Sequence, residues 1–93
     1  MTRDEILQII KQYKESNRQI RRIGVFGSVA KNRIIDESDI DVVVELARPS
    51  MFELIGIKQD LEKITRKHVD IVMLRQRMNP FLKEVVQHEA IYV

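Results

Sequence analysis

The stretch Ile40 to Leu46 reads Ile-Asp-Val-Val-Val-Glu-Leu, nearly continuous in isoleucine and valine. Such a run suits a strand buried on both faces, so the rest of the chain must supply covering elements. It does. Thr2 and Glu5 have capping-box spacing, and Ile6, Ile9, Ile10 and Tyr13 recur on one helical face, predicting a helix from Arg3 to about Arg18. Ile20 to Phe26 is short, rich in β-branched residues and stopped by Gly27, which predicts the first strand. Val29 to Asn32 has room for one helical turn, and Arg33 to Ser38 reads as loop. Ser50 and Glu53 repeat the capping spacing ahead of a helix from Met51 to about Arg66, with Leu54, Ile57, Leu61 and Ile64 as its sheet-facing seam. Val69 to Leu74 predicts a third strand. Asn79 then Pro80 opens a closing helix whose buried stripe is Phe81, Leu82, Val85 and Val86, and Ala90 to Val93 returns as a short edge strand. Helices alternating with strands indicate an α/β domain around a small sheet.

Ninety-three residues are enough for one domain, spanning 1–93. A chain of this size buries roughly 60–65% of its unfolded surface, which supports one core and not two. Sixteen Lys plus Arg against fourteen Asp plus Glu is too even to mark a nucleic-acid binder by charge. The absence of cysteine excludes a disulfide framework and a thiolate zinc site, and fits a reducing cytoplasm. No apolar run approaches the roughly 20 residues of a membrane span. Met1-Thr2-Arg3-Asp4-Glu5 puts acids where a signal peptide has a basic and then an apolar region. The expectation is a cytoplasmic protein with no membrane partner.

The chemistry concentrates in two segments. Asp39 and Asp41 stand two apart at the start of the central strand, and a period of two aims both carboxylates to one face. Acids held side by side repel unless neutralised, commonly by an oxygen-seeking divalent cation. Read alone, the pair is more simply an Asx turn with a solvated neighbour. Gly27-Ser28 ends the preceding strand, where a glycine lets backbone approach a phosphate and a hydroxyl can hold its oxygens. Asp70 lies inside the apolar run Val69 to Leu74, and an acid there is costly unless paired or metal-bound. If the third strand lies beside the second, three carboxylates converge on one sheet face.

Gly27-Ser28, then Asp39-x-Asp41, then Asp70 on the next strand resembles the nucleotidyltransferase fold of the DNA polymerase β superfamily. The small size is similar to the minimal nucleotidyltransferases that act as antitoxins to HEPN-domain toxins, and the likeness extends to the closing Asn79-Pro80-Phe81 helix. The resemblance implies a small mixed sheet flanked by helices. It further implies that Asp39, Asp41 and Asp70 are catalytic and hold Mg²⁺, two ions in all, and that Gly27, Ser28 and Lys31 hold the triphosphate of ATP. The implied reaction transfers AMP from ATP to a hydroxyl, a tyrosine of the cognate toxin being one acceptor. Members commonly read Gly-Ser-x-Ala-Arg-Gly where this chain has Gly27-Ser28-Val29-Ala30-Lys31-Asn32. Lysine keeps the charge without the bidentate fork, and Asn tolerates a left-handed backbone.

Met51, Phe52 and Ile55 fall away from the seam of the long helix, either as a face that a neighbouring loop or helix covers or as a partner surface, which by the resemblance would take a helical HEPN partner in a hetero-oligomer. His68 shares a strand face with Asp70 but reads as solvated, and Tyr13 as packing. Two rival functions stand beside adenylylation of a toxin: an antitoxin that only occludes its target, and a small-molecule adenylyltransferase that needs another subunit for its acceptor site.

Overall fold

The structure, a computed structural model, describes residues 1–33 and 39–93, so the predicted loop is described only at Arg33. Helix α1 (Arg3–Glu15) opens with the expected capping box: Thr2 Oγ1 accepts from the Glu5 N–H at 3.2 Å, and Glu5 Oε1 accepts from the Thr2 N–H at 3.1 Å. It ends three residues earlier than predicted because Ser16 Oγ bonds back to the Tyr13 carbonyl, and the Asn17 side chain takes the Gln19 N–H to turn the chain. Strand β1 (Ile20–Phe26) follows, then a single turn α2 (Gly27–Ala30), which begins two residues before the expected one. Strand β2 (Ile40–Leu46), helix α3 (Met51–Thr65), strand β3 (Val69–Met73), helix α4 (Pro80–Glu89) and strand β4 (Ile91–Tyr92) complete the order.

The sheet order is β3-β2-β1-β4, with β2 parallel to β3 and antiparallel to β1, and β4 antiparallel on the far edge. This is the expected small mixed sheet. The alternation of strand β2 divides the interior. Ile40, Val42 and Val44 point to α1 and α3, where they pack with Ile6, Ile10, Leu54, Ile57 and Leu61. Val43 points the other way and packs with Phe26 and Val86, so α4 covers only part of that second face. At Gly24 any side chain would collide with the Ile91 carbonyl, so glycine is what lets β4 pair there.

Two seams differ from expectation. In α3 the buried set is Leu54, Ile57, Leu61 and Thr65, while Ile64 is half exposed. At 100° per residue Thr65 lies about 20° from the direction of Leu54, whereas Ile64 lies about 80° away. Thr65 tolerates burial because its hydroxyl donates to the Leu61 carbonyl at 2.7 Å and accepts from the Lys67 N–H. In α4, Val86 is buried and Leu82 and Val85 pack beside it, but Phe81 is 76% exposed, because at 100° per residue it lies about 140° round the helix from Val86.

These assignments predict a contrast. Ile57→Ala should cost about 2–5 kcal/mol of stability, since it opens a cavity in the core, while Ile64→Ala should stay within about 0.5 kcal/mol of the parent. Urea denaturation of both variants checks it; equal losses would return Ile64 to the seam.

Candidate active site

Strand register builds the site. In the parallel pair Ile40 stands opposite Val69 and Asp41 opposite Asp70, pinned at the entrance by the Ile40 N–H donating to the His68 carbonyl at 2.9 Å. Both acids therefore point to the face shared with Val43 and Phe26, the face that α4 leaves partly open. Asp39, two residues before Asp41, is exposed at the same end of the strand. On the other side of β2, Phe26 pairs with Asp41, so Gly27 leaves the sheet right beside that carboxylate. Gly27 has φ +67, and a Cβ there would collide with Asp41 Oδ2. Glycine is required twice over, by backbone and by space. Ser28 is next in the turn and half-buried, and Asn32 takes the left-handed conformation expected of it, at φ 57.

The electrostatics follow from this crowding. Burial pushes the Asp41 carboxyl above its ordinary range, and the charges of Asp70, Asp39 and Glu89 push it further in the same direction. Asp39, His68 and Asp70 each offer one ligand atom, and these atoms lie within 4.8 Å of one another. Asp41 is not one of these three, although it stands opposite Asp70 and the charges of Asp39 and Asp70 reach it. The converging set is two carboxylates and an imidazole, donors that a divalent cation such as Mn²⁺ or Mg²⁺ can use.

Sequence reasoning missed two participants. His68 is not merely solvated: Nε2 lies 3.0 Å from Asp70 Oδ1 and Nδ1 lies 3.1 Å from Glu62 Oε2. Glu62 in turn accepts from the Val69 N–H and from Lys58, both at 3.0 Å, and these bonds hold its carboxyl below the usual range. The ring is thus fixed against Asp70. The period-two spacing of His68 and Asp70 carried this signal, but the reach of Glu62 from α3 did not show in sequence. The second is Glu89, at the end of α4, whose Oε1 lies 2.9 Å from Lys31 Nζ. The structure therefore sets Lys31 beside the site but engages it with an acid.

Tyr13 also does more than pack. Its hydroxyl donates to Asp60 at 2.6 Å, and burial with that bond pushes its pKa up to about 12.

Met51, Phe52 and Ile55 are 61%, 91% and 50% exposed, so none belongs to the core. Helix α3 carries the chain from the end of β2 back to the start of β3. Its first turn therefore lies at the opposite end of the strands from the acids, where Met51 lines a groove round the β3 edge with Val72, Met73 and Leu82. Among the described residues no helix is long and apolar enough to cross a membrane.

Comparison with known proteins agrees with this fold. A Methanocaldococcus jannaschii protein, provisionally named a protein adenylyltransferase, is 33% identical over 99% of this chain and 98% of its own length. The protein adenylyltransferase MntA of Thermococcus cleftensis is 31% identical over the whole chain and 97% of its own length. Among solved structures, a toxin–antitoxin complex with AMP-PNP superposes with a TM-score of 0.76 at 25% identity, over 94% of this chain and 70% of that one. The family model described as polymerase beta, nucleotidyltransferase, matches residues 8–93. Matched almost end to end in sequence and fold, the chain belongs to the polymerase beta nucleotidyltransferase family and is a nucleotidyltransferase.

Proposed function

We propose that the protein is an antitoxin that transfers AMP from ATP to a tyrosine hydroxyl of a HEPN-type toxin, in a Mg²⁺-dependent reaction in the cytoplasm, where ATP is available. One observation carries the chemistry: Asp41 faces Asp70 across the parallel pair while Gly27 abuts Asp41. The name protein adenylyltransferase on a relative matched nearly end to end, and toxin–antitoxin on a structure of which this chain spans 70%, support the acceptor class.

In this reading Asp39, Asp41 and Asp70 hold Mg²⁺, two ions in all, which when bound neutralise the triphosphate and the attacking oxygen. Gly27, Ser28 and Lys31 receive the phosphates: the glycine by lacking a side chain, the serine by its hydroxyl, the lysine by its charge. Asp70 takes the proton of the acceptor hydroxyl, His68 holding its carboxylate in place from the side. The new bond joins that oxygen to the α-phosphorus, the bond from the α-phosphorus to the bridging oxygen breaks, and pyrophosphate leaves.

Met51, Phe52 and Ile55 form the partner surface in this reading. Because they sit away from the acids, docking there leaves the site face open for an acceptor hydroxyl. That separation also favours a second reading, in which binding alone neutralises the toxin.

Asp39→Asn with Asp41→Asn separates the two. Transfer of labelled AMP to the toxin should vanish, and toxin inhibition of growth should return. Full neutralisation by this variant at equal expression would favour binding alone. Folding should persist. Asp41 is raised in the folded state, so the native protein binds more protons than the unfolded one, and stability falls as pH rises through the carboxylate range. The variant should lack that part of the fall, which urea denaturation at acidic and neutral pH would read.

Phe52→Ala should leave the melting temperature of the isolated protein unchanged, since the ring is 91% exposed. It should weaken the toxin complex by about 2 kcal/mol or more if the ring is an anchor. Calorimetric titration with the toxin, beside a nucleotide titration that should not change, checks it; an unaltered complex would remove Phe52 from the interface.

A further inference from the structure

Lys31 is where the proposed reaction needs positive charge, yet it is already engaged. Lys31 Nζ meets Glu89 Oε1 at 2.9 Å. The Glu89 carboxyl is held below the usual carboxylate range by that bond first, then by the lysine charge and by the Gly27 N–H. Glu89 is the last residue of α4, the helix on the site face, and its charge reaches Asp41. A carboxylate on an ammonium uses the same donor, in the same charge-assisted way, as a phosphate oxygen would. The pair is half in water, with side chains 50% and 26% exposed, so the fold gains little from it.

We propose that Glu89 is a built-in stand-in for nucleotide phosphate, so that ATP binding exchanges the Lys31–Glu89 ion pair for a Lys31–phosphate pair. This rests on the nucleotidyltransferase site described above and adds to it a residue that sets nucleotide affinity. The exchange has a definite sign. An incoming triphosphate must break the pair and then sit near a carboxylate that has lost its counter-charge. Glu89 therefore opposes nucleotide binding while keeping Lys31 engaged in its absence.

The test is calorimetric titration of AMP-PNP, with Mg²⁺ present, into the parent protein, Glu89→Gln, Lys31→Met and the double variant. Glutamine keeps the size of the side chain and removes its charge, so Glu89→Gln should bind AMP-PNP about two- to fivefold more tightly, the range expected from losing one exposed pair. Lys31→Met should bind more weakly, and the gain from Glu89→Gln should shrink when Lys31 is already gone. In turnover, Glu89→Gln should lower KM for ATP with kcat changed less. Thermal melting confirms that each variant is folded, and Glu89→Ala serves if the glutamine variant is not. Binding by Glu89→Gln that equals or falls below the parent overturns the stand-in role and leaves the nucleotide site standing. No binding by either the parent or the Glu89 variants overturns the nucleotide site, and this role with it.

Discussion

The parallel register of β2 on β3 is the constraint on which the rest depends. It sets Asp41 directly opposite Asp70, in the same layer that turns Val42 and Val44 into the core. A slip of one residue would drive the carboxylates toward α1 and α3 and expose the valines, so the apolar pattern and the acid pair enforce a single alignment. That alignment has a local cost. Asp41 is half-buried beside other acids, and its raised pKa reports the strain of ionising it there. The fully buried valines on the same strands offset that cost, since each large apolar side chain removed from water contributes roughly 1.5–3 kcal/mol. A strongly apolar sheet is what allows three acids to be gathered at its end.

Gly27 extends the constraint to the first strand. Its positive φ turns the chain out of the sheet at the one residue that pairs beside Asp41, and its missing Cβ leaves space for the carboxylate. The long crossover helix sets its exposed apolar face apart from the acids. Because α3 must return from the end of β2 to the start of β3, its exposed Met51, Phe52 and Ile55 lie at the end of the strands remote from Asp39, Asp41 and Asp70. In the proposed function, recognition of a partner and binding of a nucleotide are therefore separable by mutation.

Much of this was legible in sequence, for physical reasons. The strands announced themselves through β-branched runs of fixed period, and Thr2, Ser50 and Asn79 marked helix starts through local side-chain bonds that hold in the structure. Asp39, Asp41 and Asp70 could be paired because period two and strand adjacency are topological facts. What failed was long-range or rotational. Ile64 and Phe81 missed their seams because each lies far round its helix from the buried Leu54 or Val86. Glu62 against His68, and Glu89 against Lys31, join side chains from separate elements, and no local pattern encodes such a meeting. Tyr13, read as packing, bonds Asp60 on α3 for the same reason.

The most direct test of three acids acting as one cation-assisted nucleotide site is calorimetric titration of Mn²⁺ or Mg²⁺ into the protein, alone and with AMP-PNP. Carboxylates that converge but leave ligand positions open should bind the ion weakly by themselves and more tightly with the nucleotide, whose phosphates complete the oxygen shell. Equal and negligible heats in both titrations would contradict the site.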